Sequence, residues 1–354
     1  MSTVDPARVE VIAPNFKRRL SGVTATIVRL VPLQAGEIAI AATGPELPDH
    51  VPQIALSALP ALSRRGPGPS GWRVWHARRN VEMIGGLVLR DLLRKRLKLV
   101  FTSASQREQS WLTRWLIRRM DAVVATSERT AAYLEGPSQV IMHGIDTEAF
   151  APSGDRGALR RGLDLPDDGQ LIGCYGRIRE SKGTDVFAEA MIGLLADRPN
   201  AVALIMGRAV KAHEGFERDL RTRVADAGME NRIRFLPEVA THEIADWYRV
   251  LDLYVAPQRW EGFGLTPLEA MACGVPVVAT RVGAFEALVA EGETGALVPP
   301  DNPEAIRDAC AAILDEPERL AVMSEAARRR VEHQFSIEKE AATLVSLYRR
   351  LLSN

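Results

Sequence analysis

Cysteine is scarce in this chain. The three that occur, Cys174, Cys273 and Cys310, sit in apolar strand or helix contexts with no metal-ligand spacing. Their number and placement exclude a disulfide framework and suggest a reducing compartment. Long apolar runs are also missing, and none approaches the roughly 18 to 20 residues that a membrane-spanning helix needs. The opening Met-Ser-Thr-Val-Asp has no basic flank before an apolar run, so no secretory signal is read there and a cytoplasmic protein is expected. Net charge is absent too, since 45 Lys and Arg balance 45 Asp and Glu. That balance hides an asymmetry. Residues 1–150 hold 20 basic against 13 acidic side chains, and residues 151–354 hold 25 against 32. A basic half joined to an acidic half suggests that one domain meets an anionic surface; an internal match of opposite faces is the alternative. No nucleic-acid-binding motif is present, so nucleic acid is not expected as a partner.

What is there reads as about two globular domains. The length is 354 residues, and 46% apolar with 25% charged residues is enough to bury a large core. Short apolar strands are predicted at 9–13, 37–42, 73–76, 97–102, 122–126 and 140–142. A second set follows at 171–175, 201–206, 233–236, 253–256, 277–279 and 295–298, with helical stretches between most of them. This alternation predicts an α/β protein with two Rossmann-like, doubly wound parallel sheets. The Pro-, Gly- and Ser-rich stretch at 45–71 reads mostly as loop. A shift in composition at 144–170 predicts domains at 1–150 and 151–335. The apolar-periodic helix within 336–354 is expected to cross back to the first domain.

The most informative stretch is Glu261-Gly-Phe-Gly-Leu-Thr-Pro-Leu-Glu269, followed by Ala-Met-Ala-Cys-Gly274. It reads as the loop after a strand, then a helix with Thr266 as N-cap, Pro267 in the first turn and Gly274 as the stop. The amides of Gly262, Phe263, Gly264, Leu265 and Thr266 would surround a helix start beyond a strand end, where anionic ligands collect. Glu269 also fits a capping box, which needs no ligand. A second candidate seat is Gly176-Arg-Ile-Arg-Glu-Ser-Lys-Gly183, where Arg177 and Lys182 emerge between strand and helix. A guanidinium fork and a compact ammonium together could hold a diphosphate without metal. In the first half, Lys17, Arg18 and Arg19 precede Ser21-Gly22, either as a solvated cluster or as an anion clamp. His76, Arg78, Arg79 and Asn80 follow the third strand at the same expected edge. Residues 89–98 and 111–119 read as basic amphipathic helices. Trp111 and Trp115 on the second suit a bilayer headgroup region, and packing on the sheet is the alternative.

Together these residues resemble the retaining glycosyltransferases of glycosyltransferase family 4. The match covers most of the second half and, more thinly, the first. It is carried by the paired-Glu motif, by the Gly-Arg-x-x-x-x-Lys-Gly loop, and by His143-Gly-Ile-Asp146 with Phe150 and Pro152. The resemblance implies a GT-B fold with two domains facing a cleft. It implies that Arg177 and Lys182 hold the donor diphosphate and that Glu261 contacts hydroxyls of the transferred sugar. Glu269 would bind the nucleotide ribose, and Gly22 would let the first domain approach the phosphates. Two positions depart from the pattern: Thr102 or Ser103 stands where a histidine is often found, and His143 replaces an Asn. His76 is the candidate for the missing catalytic group. Residues 15–24 and 74–82 look like the mannosyltransferases of bacterial lipopolysaccharide core assembly. That implies GDP-mannose as co-substrate and no cofactor or metal. It also implies an anionic lipid A–Kdo acceptor, gripped by Lys17, Arg18, Arg19, Arg78, Arg79 and Asn80, at the inner face of the cytoplasmic membrane. Missing an Asp-x-Asp motif at any strand end agrees with cations in place of Mg²⁺. A UDP-sugar donor, a non-transferring epimerase and a non-enzymatic lipid or nucleic-acid binding module are the alternatives.

Overall fold

The computed structural model describes residues 4–18, 22–240 and 242–353. Two compact units divide the chain. The first comprises Met1–His143 with Ile337–Asn354, and the second is Gly144–Ser336. The division therefore falls between His143 and Gly144 rather than near 150, because residues 144–150 are held inside the second unit. Arg328 there donates to the carbonyls of Thr147 and Phe150 (2.9 and 2.7 Å), and Arg249 donates to the carbonyl of Ala149 (2.7 Å). Divided this way, charge separates further: the first unit holds 23 Lys and Arg against 13 Asp and Glu, the second 22 against 32.

Each unit is built on six parallel strands. In the first, β1 (Val11–Pro14), β2 (Ile40–Thr43), β3 (Arg73–Ala77), β4 (Leu97–Ser103), β5 (Ala122–Ala125) and β6 (Gln139–Val140) run in the order β2-β1-β3-β4-β5-β6. In the second, β7 (Leu171–Tyr175), β8 (Val202–Met206), β9 (Ile233–Leu236), β10 (Leu253–Ala256), β11 (Val277–Thr280) and β12 (Gly295–Val298) run in the order β12-β11-β10-β7-β8-β9. The central strands are almost wholly buried, as expected where helices cover both faces of a parallel sheet. Strand order reverses between β1 and β3 in one sheet and between β7 and β10 in the other. Those reversals open a crevice at the carboxyl ends of the strands, where ligands bind in folds of this type.

The helix Ile337–Ser353 completes the first unit. Its Ile337, Leu344, Val345 and Tyr348 pack with Val11, Ala13, Val74 and Val100 of the sheet. Fully burying each such side chain stabilises by about 1.5–3 kcal/mol, so this helix is a structural wall of the first core.

The structure corrects one helix. Residues 89–98 do not form a helix of their own; helix Asn80–Leu87 continues into a wider π turn, Val88–Leu92, and ends there. Arg94 takes a left-handed backbone (φ 54°), which stops the helix, and Leu97 already begins β4.

Candidate active site

The strand reversal explains why two loops whose meeting residues are 79 positions apart in sequence come together. The loop after β7 carries Arg177 and Lys182, and the loop after β10 carries Glu261. Because β7 and β10 are hydrogen-bonded neighbours, both loops leave the same edge of the sheet side by side. Lys182 Nζ forms an ion pair with Glu261 Oε2, and Glu261 Oε1 accepts a hydrogen bond from the Gly262 amide at 3.0 Å. Arg177 is exposed and has no hydrogen bond or ion pair to any described residue. The ammonium is thus neutralised by a carboxylate while the guanidinium is open.

Two glycines make this closeness possible. Gly183 has φ +66°, and a Cβ there would lie 1.9 Å from the Pro257 carbonyl oxygen. Gly264 has φ +90°, and its Cβ would strike the Phe285 ring at 2.3 Å. A side chain at Gly183 would push the two loops apart, and one at Gly264 would displace the Glu261 loop from Phe285.

The helix after the second loop is Thr266–Ala272. Thr266 is not its N-cap. Leu265 holds that position in a helical conformation, with no side-chain cap. Gly274 (φ +75°) does end the helix in a Schellman turn: Val275 N–H reaches the Ala270 carbonyl and Gly274 N–H the Met271 carbonyl, both at 3.0 Å. Phe263 is buried, and Gly262, Gly264, Leu265 and Thr266 are half-buried. Glu269 Oε2 accepts from the buried Tyr248 hydroxyl at 2.7 Å. Burial first, and then the Glu269 charge, push the Tyr248 phenol well above its ordinary range, so it remains a donor to that carboxylate.

Three residues of this site were invisible to sequence reading. Tyr248 is one. Gln258, only 3% exposed, lines a narrow recess with Arg177 and Lys182, and its buried Oε1 has no hydrogen-bond partner. Arg259 is the third. Nothing in their local spacing signals them; a glutamine or arginine next to Pro257 would have to be recognised from the loop's packing. A cavity of about 480 Å³ exists elsewhere in the second unit, lined by Arg156, Arg249, Arg328 and Arg329 among others. Each of these faces a carboxylate (Asp252, Asp246, Glu332 and Glu325).

In the first unit the candidate residues fare differently. Lys17 and Arg18 are exposed on the loop after β1, and Arg19 lies outside the described residues. Gly22 opens the helix Gly22–Gln34, and a Cβ there would meet nothing within 4 Å. His76 is fully buried. Its Nδ1 is 2.6 Å from the Tyr348 hydroxyl and its Nε2 2.6 Å from Thr102 Oγ1. Burial, aided by the nearby Arg78 charge, holds its pKa well below 6.5, so the ring is neutral. With both nitrogens engaged and no exposed surface, His76 fastens the final helix to the sheet.

Arg79 is likewise turned inward. Its guanidinium donates to Glu82 Oε1 (2.8 Å), Asn15 Oδ1 (2.9 Å) and Thr24 Oγ1 (3.3 Å), and Glu82 is fully buried. Asn80 donates to Thr113 Oγ1 at 2.8 Å, joining its helix to Trp111–Ile117. These two side chains stitch elements of the first unit together. Arg78 is half-buried; its amide donates to Glu82 Oε2 (2.8 Å) and its Nη1 to the His76 carbonyl (3.3 Å).

Two doubly wound sheets, with a glycine-bearing cationic loop and a paired-glutamate motif at the second one's strand reversal, define a two-unit α/β fold with a candidate ligand site at strand ends. The family model of glycosyl transferases group 1 matches residues 155–330, and the chain belongs to that family; it is a glycosyltransferase. Two full-length relatives narrow the class. The lipopolysaccharide core biosynthesis mannosyltransferase LpsB of Rhizobium meliloti (strain 1021) is 53% identical over 352 residues, covering 99% of each chain. LpcC of Rhizobium leguminosarum bv. viciae, named for the same activity, is 47% identical over 349 residues, covering 98% of this chain and 97% of that one. Among solved structures, Anabaena HepE in complex with UDP superposes with a TM-score of 0.83 over 97% of this chain and all of the other. At 17% identity that likeness shows the shared GT-B fold.

Proposed function

We propose that this glycosyltransferase moves mannose from GDP-mannose to a lipid A–Kdo acceptor in lipopolysaccharide core assembly, with retention of configuration and without a metal. One observation carries the transfer chemistry: Lys182 and Glu261 meet at the β7–β10 reversal beside an unpartnered Arg177. That the two full-length relatives are lipopolysaccharide core mannosyltransferases supports mannose as the sugar and the lipopolysaccharide core as its destination.

In this reading the incoming diphosphate takes Lys182 from Glu261 and adds Arg177, and the loop amides around Phe263 complete the seat. Glu261, released, accepts hydroxyls of the mannose, and Glu269 accepts ribose hydroxyls. Charge that builds on the departing diphosphate is met by cations already in place, the usual source of the largest catalytic contribution. The acceptor hydroxyl attacks from the leaving-group face and gives its proton to the departing phosphate.

The first unit supplies the membrane face. Val81, Ile84 and Val88 form one exposed row on helix Asn80–Leu87 and its π turn, continued by Leu92 at 73% exposure. On Trp111–Ile117, Trp111 is 71% exposed, and Leu112 and Trp115 are exposed beside it. Arg119 stacks over the Trp115 ring at 3.6 Å. Cations among outward-facing apolar and indole groups suit an anionic bilayer surface. Among the described residues, no helix is long and apolar enough to cross a membrane.

The test is a panel of radiolabelled nucleotide sugars offered to purified protein with a lipid A–Kdo acceptor in the presence of EDTA. Transfer from GDP-mannose to give an α-linked product is expected. Transfer from UDP-sugars alone would overturn the mannosyl assignment, and release of free sugar without acceptor would favour an epimerase-like reaction.

A further inference from the structure

Arg259 stands two residues before Glu261 and holds the loop that carries Lys182. Its Nη1 and Nη2 grip Asp185 as a two-point fork at 2.7 and 2.9 Å; Asp185 lies in the first turn of helix Thr184–Ala196. Nη1 also donates to the Glu180 carbonyl, and Nε to the Asp301 carboxylate on the turn after β12. The main chain repeats the grip, since the amides of Arg259 and Trp260 both point to the Ser181 carbonyl (3.2 and 3.4 Å). Glu180, Ser181 and Asp185 thus flank Lys182 on both sides and are all tied to the segment leading into Glu261. Burial alone would raise the Asp185 carboxyl, but the hydrogen bonds and charge of Arg259, with backbone amides, hold it below its usual range.

A lysine side chain has four flexible torsions, and its position depends on where its Cα is held. An unpinned loop would let Lys182 and Glu261 separate, and misplacing a binding group by about 1 Å can cost roughly 100-fold. We propose that Arg259 is a positioning residue that fixes the Lys182 loop against the Glu261 loop, so that both engage one donor molecule. This rests on the reading that Lys182 holds the donor diphosphate.

The experiment is a double-mutant cycle on the full chain, with GDP binding followed by calorimetry and mannosyl transfer by initial rates. K182A and R259A are each expected to weaken GDP at least ~10-fold. The double variant R259A/K182A should be no weaker than K182A by more than about twofold, because Arg259 acts through the lysine. R259A should lower kcat/KM by ~30- to 100-fold. R259K should recover only part of it, since an ammonium cannot reproduce the fork. D185N removes the same fork from the other side and gives a second cycle if R259A fails to fold. A merely structural arginine would lower the melting temperature yet leave GDP affinity within twofold, or would add fully to K182A; either result overturns the proposal. If K182A itself leaves GDP binding unchanged, the diphosphate site is misassigned and the proposal falls with it.

Discussion

The two sheets share a layout, with parallel strands reversing order about a central pair, but they use the reversal differently. At β7 and β10 the side chains that leave the strands are ionic and half-exposed, and one guanidinium has no partner. At β1 and β3 the groups after the third strand turn inward, Arg79 onto Glu82, Asn15 and Thr24 and His76 between Tyr348 and Thr102, while Lys17 and Arg18 after β1 stay exposed. A strand reversal offers a place for a ligand but does not by itself make one. Where donors are satisfied by the protein, the crevice becomes scaffold; where cations remain available, it can hold an anion.

The sharpest way to break this contrast is K182A. We expect glycosyl transfer to fall by about 10²- to 10³-fold with an unchanged circular dichroism spectrum, the loss typical of a group facing developing charge. Next is E82A. It leaves the Arg79 guanidinium without its carboxylate in a buried setting, a change that costs about 3–5 kcal/mol, and chemical denaturation should show it. Donor affinity measured at a temperature where the variant is folded should stay near wild type, because the change lies in the scaffold crevice.

Smaller, and dependent on pH, is the effect of His76. Its folded pKa lies well below 6.5, so below that value the unfolded chain takes up a proton that the native state refuses. Stability from this residue is therefore complete above about pH 6.5 and declines as pH falls, by at most ~1.4 kcal/mol per unit. Urea unfolding at pH 7.5 and 5.5, compared with H76Q, should reveal this slope in the wild type and its loss in the variant. Smallest is W111A/W115A. It should weaken binding to vesicles containing anionic lipid by about tenfold while leaving GDP affinity unchanged. Equal vesicle binding would remove the proposed membrane face.

The sequence carried much of the second unit's site because its signals are local. Glycines at 183 and 264, cations at 177 and 182, and carboxylates at 261 and 269 all lie on strand-to-helix connections that periodicity alone can place. The first unit was less legible for a physical reason. His76 looks like an edge histidine until Tyr348, 272 positions away, covers it. Arg79 reads as a free cation unless Asn15 and Thr24 are known to lie beside it. Spacing records which face a residue takes, not which distant group satisfies it. The same limit hid Arg259, whose partners Asp185 and Asp301 are far off in sequence. It also produced the misplaced helix at 89–98, where a basic amphipathic pattern concealed the left-handed turn at Arg94.

The interrupted path of the first unit has a consequence for biogenesis. Residues 1–143 leave the ribosome without Ile337–Ser353, so the sheet face covered by Val345 and Tyr348 stays bare until the whole intervening unit has been synthesised. At roughly 5–20 residues per second that wait is on the order of ten to forty seconds. Throughout it the nascent amino-terminal portion offers a greasy flank to chaperones, while the later, self-contained portion can already have folded behind it.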